Sequence, residues 1–457
     1  MYLAVGKIGA IWMGLNPRYR ASEFDWLLDN AKPSLLTILS SLDEETIASA
    51  RSAAAALPTA CAIVEFGGEQ LGRHFVALAS DALESALAAP PIGDLALPDE
   101  PALLVYTSGS TGRPKGALIS HYGLTFGSLV QATEWGPTRP TMVCNLPINH
   151  VGCVADICSV ILVLGGTIVF QEKFDPAMMF DAIERERVSV WGGVPSMFQL
   201  MADHPRFSTA DLSSVELVLW GGAAMPRSLI DRLLHRGLRL KTAYGMTETS
   251  CHVTFTASEA DADNLERTIG RPTPYTPCRI ADASGTLCAE GVAGELQVFG
   301  RQNFVGYLHQ PEATAAAYTP DHWLKTGDLA TWTASGDIRL VGRLREVIKS
   351  GGYSVYPREV ELALESHPGI HSCAVVGAPH PLFLEVCVAF VVAKQGMTVS
   401  TEDLDAYLRE RLANYKVPKK IFPIEKLPTL PIGKIDKNAL RALALEMYPM
   451  SSGSESQ

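Results

Sequence analysis

Short apolar runs that alternate with helix-like stretches constrain the fold of this chain most strongly. Runs such as "LLVY", "TIVF", "ELVLW" and "ELQVFG" are separated by amphipathic stretches at 175–187 and 226–236. Continuous apolar runs of this length are typical of strands that are buried on both faces of a sheet. The pattern predicts an α/β fold with mostly buried strands from residue 1 to about residue 340.

From Arg358 onward the pattern becomes more compact. The helix-like stretches "REVELALESH" and "TEDLDAYLRERLA" flank two apolar strands, and a further helix-like segment follows. Because 457 residues exceed what one hydrophobic core normally supports, two domains are expected. We predict a large multi-sheet N-terminal domain over 1–343, a small mobile α+β C-terminal domain over 344–445, and a disordered polar tail over 446–457.

Charge and cysteine content exclude several classes of partner. The formal net charge of −11 argues against nucleic acid, because phosphate binding over a surface needs an excess of Lys and Arg. The N-terminal stretch "MYLAVGKIGAIWMGL" is interrupted by Lys7 and is too short to span a bilayer, so we expect a core element and no integral membrane contact. Nine cysteines without a CxxC pair or a Cys/His cluster favour a reduced, cytoplasmic setting over disulfides or zinc, and Cys251 is a poor candidate nucleophile.

The stretch "YTSGSTGRPKG" (106–116) is the first candidate for phosphate binding. It does not fit G-x-x-x-x-G-K-[ST], since Lys115 follows a proline and precedes a glycine. The apolar "GALIS" after it predicts the second strand of a hairpin rather than a helix. Backbone amides and hydroxyls could form a cradle that Lys115 closes, and a solvated hairpin turn is the alternative. The cradle residues are Thr107, Ser108, Gly109, Ser110, Thr111 and Gly112.

Further motifs follow in a recognisable order. They are "LPINHVG", "WGGAAMP", "YGMTETS", "GELQVFGRQNFVGY", "KTGDLA", "GRLREVIKSGGYSVYPREVE" and "LPIGKIDKNAL". Together with the loop, they resemble the adenylate-forming superfamily, which includes acyl-CoA synthetases, adenylation domains of peptide synthetases and firefly luciferase. The resemblance covers almost the whole chain and implies the adenylate-forming fold for the N-terminal domain.

The resemblance also implies roles for nucleotide-binding residues. Tyr244 is expected to stack on adenine, and Asp328 to accept hydrogen bonds from the ribose hydroxyls. Thr247 and Glu248 supply oxygens, and Glu248 with Thr107 is expected to hold Mg²⁺ beside ATP. Gly222, Ala223 and Arg343 complete the implied nucleotide site. Simpler alternatives are a surface or capping carboxylate for Glu248, a turn aspartate for Asp328 and a surface salt bridge for Arg343.

The C-terminal motifs imply a moving catalytic group. Lys434 is expected to stabilise the charge that develops as pyrophosphate leaves the α-phosphate. Arg345 lies at the family's hinge position, and Gly351 and Gly352 leave room for the pantetheine chain of coenzyme A. A solvated loop lysine and a basic linker are the alternatives.

The substrate pocket is less well defined by the sequence. His150, Trp220, Gly245 and Met246 are its implied walls, and Trp191 and Gly193 are further candidates. Amino-acid adenylation domains place an aspartate just after the strand that here leads into "PINHVG", where this chain has Asn and His. A cationic amine would lack a partner there, so we expect a carboxylic acid with an uncharged tail, either aliphatic or aromatic.

These features predict an ATP-dependent ligase that joins a carboxylic acid to coenzyme A through an acyl-adenylate and releases AMP and diphosphate. An acyl-adenylating enzyme with a carrier-protein acceptor is the second hypothesis. The third is a non-catalytic nucleotide-binding protein, because the first recognisable family segment begins at Lys7 and the resemblance implies that earlier elements are missing. An upstream start codon, a natively short protein and a fragment are all compatible with that expectation, and the oligomeric state stays open.

Overall fold

The computed structural model of this protein describes residues 2–66, 97–107, 114–350, 353–429 and 435–448. A π-helix spans Gly152–Ser159. The α-helices are Tyr2–Lys7, Ala21–Ala31, Glu44–Ala55, His121–Trp135, Val160–Val163, Pro176–Glu186, Pro195–Asp203, Arg227–His235, Ala262–Arg267, Pro311–Ala316, Pro357–Glu365, Thr401–Arg409 and Lys437–Met447.

A seven-stranded sheet forms the centre of the large domain. Five neighbouring strands are parallel, as the buried apolar runs predicted, and the two strands at one edge, His252–Phe255 and Arg271–Pro272, are antiparallel. Helices pack on it and bury the largest apolar side chains, including Trp191 and Trp220. In spatial order the strands are Arg271–Pro272, His252–Phe255, Leu240–Gly245, Leu217–Trp220, Val190–Gly193, Thr141–Cys144 and Thr167–Phe170.

The candidate phosphate loop joins two antiparallel strands, Pro101–Thr107 and Lys115–Ser120, in which Thr107 lies opposite Lys115. The strand predicted for "GALIS" is therefore confirmed. The short strands Trp12–Met13 and Gly306–Tyr307 flank this hairpin and complete a four-stranded sheet. Because Gly306–Tyr307 pairs with the second hairpin strand, the sheet brings Tyr307 close to the mouth of the loop.

Two further sheets complete the large domain. One contains, in spatial order, Cys278–Ala281, Gly294–Val298, Leu324–Trp332 and Ile338–Arg343, and it places Asp328 directly opposite Arg343. The other pairs Leu35–Leu39 with Ala62–Phe66 beside the alanine-rich helix Glu44–Ala55.

The C-terminal part forms its own α+β unit. Long strands pair as a hairpin and carry helices on both faces, each with a separate apolar core. This agrees with the predicted fold class. The strands of this sheet are Ile348–Ser350, Tyr353–Val355, Ile370–His380, Leu384–Ala393 and Lys420–Pro423.

The N-terminal segment differs from its prediction as a core element. The helix Tyr2–Lys7 has no fully buried residue, and Leu3 and Ile8 are 62% and 55% exposed. Tyr2 and Trp12 pack against one core cluster, with their rings in edge contact, and Leu15 packs against another. Within the described residues, no helix is long and apolar enough to cross a bilayer.

Candidate active site

A cleft of about 3150 Å³ runs along the carboxyl ends of the central strands and is closed on one side by the small domain. The hairpin contributes Thr107 and Lys115, the central sheet contributes Gly245, and the small domain contributes Lys437. Ligands of open α/β sheets bind at this edge of the strands. The cleft is therefore the candidate active site.

The turn after strand Leu240–Gly245 fixes Glu248. The Thr249 hydroxyl accepts a hydrogen bond from the Met246 amide (2.9 Å) and donates one to the Cys251 carbonyl (2.8 Å). This closes the turn and leaves Glu248 only 7% exposed at the cleft wall. The Phe304 amide donates to the Glu248 carbonyl (2.8 Å), which ties the "GRQNFVGY" segment to the same turn.

A compact polar group forms where the hairpin meets that turn. The Tyr307 hydroxyl donates a hydrogen bond to Oε1 of Glu248 (2.7 Å), and Lys115 Nζ lies 5.0 Å from the centre of the Tyr307 ring. Burial, followed by the charge of Glu248, raises the pKa of Tyr307, so the hydroxyl remains a donor. Thr107 lines the same part of the cleft. The sequence motif contained Tyr307, but nothing in its spacing indicated this contact.

A second polar group joins Asp328, Arg343 and Tyr244. Arg343 Nε lies 2.8 Å from Asp328 Oδ1, and the Tyr244 hydroxyl donates to Asp328 Oδ2 (2.6 Å). Asp328 is 4% and Tyr244 8% exposed, whereas the Arg343 side chain is 45% exposed. The charge of Asp328 raises the pKa of Arg343, and burial raises the pKa of Tyr244. Arg343 lines the cleft, while Asp328 and Tyr244 lie behind it.

The predicted pocket residues lie on the cleft in most cases. His150, Trp220, Gly245 and Met246 all line it, as do Gly222 and Ala223 after the neighbouring strand. The His150 Nδ1 accepts a hydrogen bond from the Gly152 amide (3.1 Å), which orients the ring. Trp191 instead packs against Phe198 in the core, with ring centres 5.1 Å apart, and does not line the cleft.

Arg345 and Thr247 also line the cleft, and Arg345 is exposed. The remaining predicted residues fall outside the described part of the chain. These are Ser108, Gly109, Ser110, Thr111, Gly112, Gly351, Gly352 and Lys434.

Three cysteines that are scattered in the sequence meet beside the cleft. Cys144 Sγ lies 3.6 Å from Cys153 Sγ and 3.9 Å from Cys158 Sγ. The π-helix places Cys153 and Cys158, five residues apart, next to the end of strand Thr141–Cys144. All are free thiols, and hydrogen bonding to Cys144 with burial raises the pKa of Cys158 to about 12. The sequence pattern did not indicate this cluster, because sequence spacing does not show contacts between a strand and a helix. Cys251 is buried, which raises its pKa and agrees with its dismissal as a nucleophile.

No sequence pattern indicated Asp156 and His252, which also line the cleft. His252 Nδ1 lies 2.7 Å from Gln131 Oε1 and 3.6 Å from Asp156 Oδ1. Asp156 lies six residues after His150, which is one of the two residues that occupy the region where amino-acid adenylation domains carry an aspartate. One acidic residue on a helix followed by apolar residues gave no signal of this contact.

Comparison with known proteins places the chain in a family. Residues 1–308 match the family "AMP-binding enzyme", and residues 359–434 match the "AMP-binding enzyme C-terminal domain". A feruloyl-CoA synthase from Amycolatopsis sp is 37% identical over 96% of this chain and 84% of its own length. An indoleacetate–CoA ligase from Aromatoleum aromaticum is 33% identical over the same shares. ATP-bound MatB from Rhodopseudomonas palustris superimposes with a TM-score of 0.84 at 28% identity, covering 98% of this chain and 86% of that one.

The chain therefore belongs to the AMP-binding, or adenylate-forming, enzymes. Within this family it is an AMP-forming acyl-CoA synthetase, an ATP-dependent ligase of carboxylic acids and coenzyme A that acts through an acyl-adenylate. The predicted family, fold class and reaction are confirmed.

Proposed function

We propose that this ligase binds ATP across the two polar groups of the cleft and activates a carboxylic acid with an uncharged, ring-bearing tail. The observation that carries the proposal is the arrangement of Lys115, Glu248 and Tyr307 on the same cleft as Arg343 and its partner Asp328. Lys115 in one polar group and Arg343 in the other suit a triphosphate, and the buried carboxylate of Asp328 suits ribose hydroxyls. For Asp328 to accept those hydroxyls, the half-exposed Arg343 side chain would shift toward the phosphates.

The oxygen set around Glu248 fits Mg²⁺. A hard divalent cation takes carboxylate, hydroxyl and phosphate oxygens, and Glu248 with Thr107 would supply the protein's share. Tyr307 engages Oε1 of Glu248 and thereby orients the carboxylate toward the cleft. The bound ion would neutralise charge on the triphosphate. Lys115 would contact the same phosphates from the hairpin.

In the first half-reaction, a carboxylate oxygen of the acid attacks the α-phosphorus and the bond to the bridging oxygen of diphosphate breaks. Lys434 would stabilise the charge on the α-phosphate and carboxylate, and the loop from Ser108 to Gly112 would hold the leaving diphosphate. These roles rest on the family motifs in which the residues lie. Donors of this kind typically contribute about 10²- to 10³-fold in rate.

In the second half-reaction, the thiol sulfur of coenzyme A attacks the acyl carbon, the bond to AMP breaks, and the thiol proton is released. We place the boundary of the moving domain after Arg343, with Arg345 as its hinge and residues 344–445 as the moving unit. Gly351 and Gly352 would admit the pantetheine chain. Rotation would withdraw Lys434, so that one cleft serves two geometries.

Two of the relatives support a ring-bearing tail. They are a feruloyl-CoA synthase and an indoleacetate–CoA ligase, and both names refer to acids with an aromatic ring. Trp220 and Met246 would pack against a ring, and Gly245 would leave space for it. His150 would border the same pocket.

The test is a product assay over a panel of aryl and fatty acids. We expect AMP and acyl-CoA to form in equal amounts, with a higher kcat/KM for aryl acids than for fatty acids of similar size. Higher kcat/KM for long fatty acids would contradict the ring-bearing tail, and adenylate release that ignores coenzyme A would contradict its role as acceptor.

Lys434→Ala should abolish adenylation, measured as ATP–pyrophosphate exchange, while thioester formation from supplied acyl-adenylate is retained. Exposed Lys420→Ala, in the same domain, is the matched control and should leave both half-reactions unchanged. Equal loss of both half-reactions in Lys434→Ala would contradict the assigned role.

A further inference from the structure

Three polar side chains that belong to neither of the groups assigned to ATP meet at a wall of the cleft. Gln131 comes from helix His121–Trp135, Asp156 from the π-helix, and His252 from strand His252–Phe255. His252 Nδ1 lies 2.7 Å from Gln131 Oε1 and 3.6 Å from Asp156 Oδ1. With oxygens on that side of the ring, Nδ1 carries a hydrogen. We call these residues the inner polar triad.

The triad is incompletely hydrogen-bonded. Gln131 is fully buried, and among the described residues neither its Nε2 nor the Oδ1 of Asp156 has a hydrogen-bond partner within 3.5 Å. The Asp156 and His252 side chains are only 14% and 15% exposed. Burying polar atoms without partners is costly, and such atoms in a native protein need an explanation. A bound group that supplies the partner is one such explanation.

The triad faces the cleft rather than the core. Asp156 and His252 both line the cleft, whereas Gln131 lies behind them. Gly221 leaves one side of the imidazole uncovered, because a Cβ at this position would lie 2.9 Å from His252 Nε2. Apolar side chains also line this cleft, and they include Trp135, Met142, Leu219 and Trp220. An apolar pocket with a few convergent polar groups is typical of a site for a mostly apolar ligand with one polar group.

We propose that the inner polar triad recognises a neutral hydroxyl group on the acyl tail, remote from the reacting carboxylate. This inference rests on the proposed function, since it takes the inner end of the cleft as the acyl pocket. Because the hydrogen lies on Nδ1, neutral His252 presents Nε2 as an acceptor, so a tail hydroxyl can donate to Nε2 and accept from the carboxyl of Asp156 when that carboxyl is protonated. Burial raises the pKa of Asp156, which disfavours its charged form and favours a neutral partner over an ammonium group.

The first experiment compares acids that differ by one hydroxyl. Cinnamate is compared with its 2-, 3- and 4-hydroxy derivatives, and dodecanoate with 12-hydroxydodecanoate. We expect at least one hydroxy acid to exceed its parent in kcat/KM by about tenfold to hundredfold, because the parent leaves the triad unpaired. Parents that equal or exceed every hydroxy acid would overturn the proposal.

The second experiment removes the triad's carboxylate. Asp156→Leu replaces it with an apolar group of similar volume. The ratio of kcat/KM for the hydroxy acid to kcat/KM for its parent, which we call the hydroxyl preference, should then fall to about threefold or less, while the parent acid is still used. Asp156→Asn keeps a polar group and should retain part of the preference. Ser159→Ala, on the same π-helix but off the cleft, is the control and should keep the wild-type preference. An unchanged preference in Asp156→Leu would overturn the proposal.

Calorimetric binding of each acid to the wild type and to Asp156→Leu, without coenzyme A, separates this inference from the proposed function. Loss of ligase turnover with a retained hydroxyl preference in binding would contradict only the proposed function. Equal dissociation constants for hydroxy acids and parents would contradict only the triad.

Discussion

At the scale of single residues, the site depends on buried carboxylates whose partners come from distant parts of the chain. Glu248 is held by Tyr307, and Asp328 by Tyr244 and Arg343. A buried carboxylate keeps its position and charge only where donors surround it. Changes to the carboxylate and to its partner should therefore have different effects.

Glu248→Gln should lower the rate of adenylation by about 10²- to 10³-fold, because it removes the charge proposed to hold Mg²⁺. ATP–pyrophosphate exchange as a function of Mg²⁺ concentration checks this, and the variant should need more Mg²⁺. Tyr307→Phe keeps the charge and should cost about tenfold at most, with little change in the Mg²⁺ requirement. The same Mg²⁺ dependence in both variants would contradict the proposed role.

Asp328→Asn should raise the KM for ATP about tenfold to hundredfold, because it weakens a charged hydrogen-bond acceptor. The chain offers a matched control in Asp321, which also pairs with an arginine, Arg279, but is exposed. Exposed ion pairs contribute little free energy, so Asp321→Asn should change the KM for ATP by less than about twofold. Steady-state kinetics with varied ATP compare the two, and equal effects would argue against a nucleotide contact.

At the scale of elements, close contacts between strands shape the cleft. Gly245 lies opposite His252 on the neighbouring strand, and a Cβ at Gly245 would lie 2.3 Å from the Cys251 carbonyl oxygen. A Cβ at Gly192 would lie 2.2 Å from the terminal methyl of Met142. Backbone atoms cannot move aside without distorting the sheet, whereas the end of a methionine can.

Gly245→Ala should therefore destabilise the large domain by about 2 kcal/mol or more, and Gly192→Ala by about 1 kcal/mol or less. Thermal unfolding midpoints of the two variants measure the difference. Both substitutions add one methyl group at the cleft, so the two variants form a matched pair. A lower unfolding midpoint for Gly192→Ala than for Gly245→Ala would contradict the expectation that the backbone contact at Gly245 costs more stability than the methionine contact at Gly192.

At the scale of the molecule, an ion-pair network holds the last described helix in place within the small domain. Lys437 Nζ lies 2.6 Å from Glu361 Oε1 and 3.4 Å from Glu346 Oε2. Glu361 is buried and also accepts a hydrogen bond from the Val375 amide (3.0 Å). The network therefore links helices Pro357–Glu365 and Lys437–Met447 to the segment after Arg343.

Lys437→Ala should lower the unfolding midpoint of the small domain by an amount equivalent to about 2 to 3 kcal/mol, because it leaves Glu361 with a weaker counter-charge. Lys437 lies three residues after Lys434, so adenylation should also fall at temperatures well below the midpoint. Unfolding scans and pyrophosphate exchange measure the two effects. In Lys420→Ala, the exposed control, both should stay at the wild-type level.

The sequence by itself determined the α/β class, the second domain, the hairpin around "SGSTG" and the family, because these depend on local periodicity and on motifs that are contiguous in the chain. It also indicated His150, Glu248, Asp328 and Arg343 as residues of one site. Only the tertiary structure decided their partners, because Tyr307, Tyr244 and the inner polar triad meet through strand pairing and helix packing. The cysteine cluster also forms through tertiary packing, because a π-helix lies against the end of a strand, and the spacing of the cysteines in the sequence does not indicate that contact.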